Sequence, residues 1–99
     1  MAETTDEGID VQHETARQRF VVLVDGKEGT LSYRRRDDHT LDFRSTFVLP
    51  ELRGRKLGEK LVLYGLDYAR EQGLKVVPTC PFVGRVVEDH PAYRDLITG

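Results

Sequence analysis

Around Pro50 the apolar residues change their period, and this switch restricts the chain to folds in which an extended strand feeds a helix that lies back on it. Before it, in "TLDFRSTFVL", Leu41, Phe43 and Phe47 alternate, with Ser45 at the intervening same-face position. That is the two-residue repeat of a half-buried strand. After it, Leu57, Leu61, Val62, Leu66 and Ala69 recur at helical spacing, while Glu59, Lys60, Asp67, Arg70 and Glu71 take the other side. The spacing predicts an amphipathic helix from Arg55 to about Gln72. Proline has no N–H for a ladder and disfavours helical geometry in Leu49, so the strand ends there. Gly73 supplies the helix stop.

The flanking segments extend this unit. "RFVVLVDGKEGTLSYRRR" reads as a hairpin, with Phe20, Val22 and Val24 on one face and Asp25-Gly26 tolerating the turn. The polar "RRRDDH" reads as the next turn, and a short strand is expected around Val11 to His13. "LKVVPTC" predicts a short buried strand, and "FVGRVVEDH" a helical segment with Val83, Val86 and Val87 on one stripe. Strand, helix, strand implies parallel pairing through a right-handed crossover. The fold class is therefore α+β: an antiparallel meander of three to four strands, a parallel strand after the long helix, and a short C-terminal helix. The expected organisation is a flexible N-terminal arm over residues 1–10 and a single domain over 11–99. A chain of 99 residues has one modest core at most.

Charge excludes some partners. Fifteen basic and 17 acidic residues leave a formal charge of −2, with no global field to collect nucleic acid or an anionic membrane. Arg34, Arg35 and Arg36 are offset by Asp37, Asp38 and Asp42 and read as a solvated hairpin turn. The longest aliphatic run, Val21 to Val24, is far short of the roughly 20 residues of a membrane span. The lone cysteine, Cys80, excludes an internal disulfide and fits a reducing compartment, hence the cytoplasm. His13, His39 and His90 lie far apart without partners at ligand spacing, so no metal site is expected.

The chemistry concentrates in "PELRGRKLGEKL". A helix start exposes unpaired amides and partial positive charge, which suits a phosphate where the backbone is accessible. Gly54 and Gly58 offer that access, and Arg53, Arg55, Lys56 and Lys60 add donors. The spacing is neither the Walker loop, since Lys60 precedes Leu61, nor the Rossmann fingerprint. By residues alone, an anion site and a solvated basic helix start stand equally open.

The stretch "VLPELRGRKLGEKLV" resembles the acyl-CoA-binding segment of the Gcn5-related N-acetyltransferases. More narrowly, "DYAREQGLKVVPTCPFVGRVVEDHPAYRDLI" resembles the minimal members of about a hundred residues, with "VVPTC" and "HPAY" as signatures. The resemblance implies acetyl-CoA as acyl donor and an amine as acceptor, attacking directly without a metal. It further implies that amides of Arg53, Gly54, Arg55, Lys56, Leu57, Gly58 and Glu59 hold the coenzyme A pyrophosphate. Backbone at Phe47, Val48 and Leu49 would pair with the pantetheine arm. The sequence departs from the pattern at three places: Lys56 stands where the motif has its first glycine, Ser45-Thr46 where the subgroup often has His-Thr, and Val86 or Val87 where larger members carry a general-acid tyrosine. Cys80, at the end of the strand flanking the acetyl group, is then the candidate catalytic residue as nucleophile or base, against the alternative of a small buried apolar side chain. The reading is of a monomeric N-acetyltransferase with an unidentified amine acceptor. Its rivals are a coenzyme A-binding module with little or no turnover and a small nucleic-acid or protein interaction domain.

Overall fold

The computed structural model describes residues 10–24, 26–49 and 56–98. Strands β1 (Asp10–Glu14), β2 (Arg19–Val24), β3 (Lys27–Asp37) and β4 (Thr40–Val48) are followed by helix α1 (Leu57–Glu71), strand β5 (Lys75–Val77) and helix α2 (Pro81–Asp89). Short 3₁₀ turns occupy Thr15–Arg17 and Pro91–Leu96. The strands form one sheet in the order β1-β2-β3-β4-β5, antiparallel throughout except for the parallel pair β4 and β5. This is the expected meander, completed to four strands because β1 adds to β2 with Val11 opposite Val22 and His13 opposite Phe20.

Alternation along β2 and β3 puts Phe20, Val22, Leu31 and Tyr33 on the face that receives α1, where Leu57, Leu61, Val62, Leu66 and Ala69 are fully buried. Gly65 sets the helix height: a β-carbon there would sit 3.0 Å from the Phe43 ring and 3.1 Å from Leu31. Gly73 ends the helix at φ 71°, and Leu74 N–H then closes on Ala69 O at 2.8 Å. In the "HPAY" region the Tyr93 hydroxyl donates to Asp67 at 2.6 Å. Arg70 lies over the Tyr93 ring and grips Asp95 through two contacts of 3.0 and 3.1 Å. These bonds fasten the chain end to α1.

Two expectations require correction. The "RRRDDH" segment is not a loop: Arg34 and Arg35 sit in β3 opposite Asp42 and Leu41. The turn shrinks to Asp38 and His39, closed by His39 N–H donating to the Asp37 carboxylate at 2.8 Å. Ladder pairing with β4 overrides the local polarity. The second correction concerns Phe47. Tyr33 pairs with Phe43 but Ser32 pairs with Ser45, so Arg44 is an extra residue on β4, a β-bulge. One inserted residue inverts the alternation beyond it. Val48 is consequently buried opposite Gly29, while Phe47 leaves the Leu41/Phe43 face and stands 55% exposed.

Candidate functional site

β4 and β5 part company after three pairs. Thr40, Leu41 and Asp42 pair with Lys75, Val76 and Val77, and the last link is Cys80 N–H to Phe43 O at 3.0 Å. Pro78, which has no N–H, interrupts β5, and Pro81 at the first turn of α2 commits the chain to a helix. β4 meanwhile continues to Val48, re-aimed by the bulge at Arg44. The divergence opens a cleft of about 590 Å³. One wall is Thr46, Phe47 and Val48 of β4. The opening of α1 contributes Lys56, Gly58 and Glu59, and α2 contributes Phe82, Arg85, Val86 and Asp89.

Lys56 caps α1 with φ 59° and ψ 29°, the left-handed region, and its carbonyl accepts Lys60 N–H at 3.1 Å. A β-carbon in that conformation costs about 1–2 kcal/mol, which a glycine avoids. The sequence places a cation there instead. Arg53, Gly54 and Arg55 lie outside the described residues. Leu57 is fully buried, so its side chain belongs to the core, and Leu49 packs partly buried against the same core. Gly58 lines the cleft, and a β-carbon there would meet the Phe82 ring at 3.1 Å. Its smallness admits a phenylalanine against the helix start, so that one side of this residue is covered rather than laid open.

Glu59, in the first turn of α1, is engaged by His90, whose Nε2 lies 2.7 Å from Oε2. That hydrogen bond, reinforced by the charges of His90, Lys56 and Lys60, keeps the Glu59 carboxyl below the usual carboxylate range against an opposing effect of burial. His90 thus ties the end of α2 to the first turn of α1.

Cys80 sits at the N-cap of α2, 8% exposed, with Sγ 3.6 Å from Thr46 Oγ1. The thiol is also part of the core cluster, so its place suits both roles expected of it. Val86 lines the cleft and Val87 is buried, and neither transfers a proton. Tyr93 is committed to Asp67 and its phenol is pushed up to about 12, by burial first and by the carboxylate second. Where the two strands separate, Thr46 and Cys80 form one polar pair, and Thr79, donating its hydroxyl to the buried Asp42 carboxylate, forms another.

Sequence reasoning missed Thr46 as a cleft residue, because the bulge decides its direction. It also missed Phe82, Arg85 and Asp89. The signal was present, since positions 82, 85, 86 and 89 repeat at three and four residues, but the neighbouring valine stripe dominated the pattern. His13 proves to be a packing residue, stacked 4.2 Å over Phe20 with Nε2 2.6 Å from the Tyr33 hydroxyl, and burial lowers its pKa.

The GCN5-related N-acetyl-transferase family matches residues 19–96, a span that runs from β2 through the cleft-lining elements to the last 3₁₀ turn. The chain belongs to this family. Its fold superposes on the NMR structure of a GCN5-like protein from Staphylococcus aureus with a TM-score of 0.72 at 25% identity, covering 95% of this chain and 92% of that one. Protein NATD1 of Danio rerio is 29% identical over 91 residues, 88% of this chain and 83% of its own. Protein NATD1 of Homo sapiens is 29% identical over 85 residues, 84% and 75% respectively. Among the described residues, no helix is long and apolar enough to cross a membrane.

Proposed function

We propose that the chain binds acetyl-CoA in the cleft between β4 and α2 and transfers the acetyl group to an amine. The observation that carries this reading is the parting of β4 and β5 beyond Phe43 and Cys80, which ends at the cationic opening of α1. The cleft volume is typical of small-molecule sites, and its donors, the α1 amides with Lys56 and Arg85, suit phosphate. When bound, acetyl-CoA supplies an activated thioester carbonyl, to which the acceptor nitrogen bonds as the carbon–sulfur bond breaks and the amine proton leaves for the thiolate or a base. β4 from Phe47 to Leu49 would run beside the pantetheine arm, and residues 53–59 would hold the diphosphate. Thr46 and Cys80 would flank the acetyl group, with Cys80 as base or as transient acyl carrier. We read the chain as a cytoplasmic monomer.

Valines at 86 and 87 favour a second reading, a coenzyme A-binding module with little turnover. An NMR titration with coenzyme A, followed by thiol release with acetyl-CoA and an amine panel, separates the two. Shifts at Phe47, Val48, Leu49, Lys56, Leu57, Gly58, Glu59 and Cys80 with turnover support transfer; the same shifts without turnover support the module. Unmoved resonances under saturating coenzyme A refute both. Salt-sensitive oligonucleotide binding without any response to coenzyme A would point to the interaction-domain alternative.

A further inference from the structure

Helix α2 turns two different stripes inward. Val83 and Val87, with Val86 at the border, enter the core, and Phe82, Arg85, Val86 and Asp89 form a second stripe at i, i+3, i+4 and i+7 along the cleft. Arg85 thus lines the same cleft as the start of α1 while its side chain stays exposed. Among the described residues its guanidinium makes no ion pair or hydrogen bond, including with Asp89 one turn on. Of the cleft's two acids, Glu59 is engaged by His90. Lys56 on one wall and Arg85 on the other are then two cations facing one space, with Phe82 closing the distance between their helices against Gly58.

We infer that Arg85 is a phosphate ligand of this cleft, gripping the acyl donor from α2 while Lys56 and the α1 amides hold it from the opposite wall. This rests on the reading of the cleft as the acetyl-CoA site and adds a residue outside the helix-start turn to it. A guanidinium presents its donors as a planar fork that matches two phosphate oxygens. Asp89, on the same stripe, opposes the anion and limits the affinity.

The test is isothermal titration of the intact chain and of Arg85→Ala, Arg85→Lys and Asp89→Asn with coenzyme A, dephospho-coenzyme A and pantetheine. Arg85→Ala is expected to weaken coenzyme A binding about tenfold, with Arg85→Lys intermediate and Asp89→Asn about twofold tighter. The loss in Arg85→Ala should shrink at 0.5 M salt, where charges about 10 Å apart are screened. A loss shared by dephospho-coenzyme A assigns Arg85 to the diphosphate, and a loss confined to coenzyme A assigns it to the 3′-phosphate. Either supports the proposal. Unchanged coenzyme A affinity in Arg85→Ala, or an equal loss with uncharged pantetheine, overturns it. Failure of the unaltered chain to bind coenzyme A instead refutes the underlying reading, so the two failures are distinct. Unchanged thermal unfolding of Arg85→Ala, expected for an exposed side chain, excludes a folding defect.

Discussion

Replacing Lys56 by glycine should move stability and affinity in opposite directions. At φ 59° and ψ 29° the lysine β-carbon crowds its own backbone, at about 1–2 kcal/mol for a left-handed L-residue. Glycine removes that strain but loses roughly 0.5–1 kcal/mol through the greater freedom of the unfolded chain. The net expectation is a gain of about 0.5–1 kcal/mol, or a rise of roughly 2–8 °C in Tm for a domain of this size. The ammonium is lost in the same step. One exposed charge contact to a phosphate is worth about 1 kcal/mol, so coenzyme A affinity should fall about fivefold. Lys56→Ala separates the two effects: it loses the charge and keeps the strain, so it should bind like Lys56→Gly and melt like the unaltered chain. Lys56→Glu should bind more weakly than either. Thermal unfolding and isothermal titration on the same four proteins are sufficient. If Lys56→Gly is no more stable than Lys56→Ala, the strain argument is wrong; if it binds coenzyme A undiminished, the charge argument is wrong.

Gly65→Val puts a β-carbon 3.0 Å from the Phe43 ring with two methyl groups beyond it and should cost about 2 kcal/mol in urea unfolding, more than any gain in helix propensity. Glu59 has a folded-state pKa below its unfolded one, so its pairing with His90 contributes above the ordinary carboxylate range and is lost as pH falls through the lowered folded value. The stability deficit of His90→Ala should accordingly be present near pH 6 and narrow in acid; a deficit independent of pH down to about 3 would contradict the pairing. Tyr93 shifts the other way, to about 12. The neutral phenol is favoured by folding, so its contribution is complete below about 10 and lost as pH rises through 12, and Tyr93→Phe should remove the last step of the ultraviolet tyrosine titration. Cys80→Ala should leave coenzyme A binding within about twofold and abolish thiol release if the thiol carries the chemistry; retained turnover would leave it a packing residue.

The change of period at Pro50 was enough to place a strand before a helix, because each element reports its own burial through its own repeat: Leu41 and Phe43 at two residues, Leu57, Leu61 and Leu66 at helical spacing. The stop at Gly73, the short strand before Pro78 and the valine stripe of α2 were legible for the same local reasons. So was the departure at Lys56, whose positive φ the glycine motif anticipates.

What the sequence could not carry was any property belonging to a pair of elements. The bulge at Arg44 is a mismatch between β3 and β4, and no residue type announces it. Yet it turns Thr46 and Val48 inward, sends Phe47 out and helps β4 leave β5. The place of Arg85 depends likewise on which helix start stands opposite α2, and the duty of His90 on how close α2 ends to Glu59. Periodicity records which side of an element avoids water. Only packing decides what that side, and the side next to it, will face.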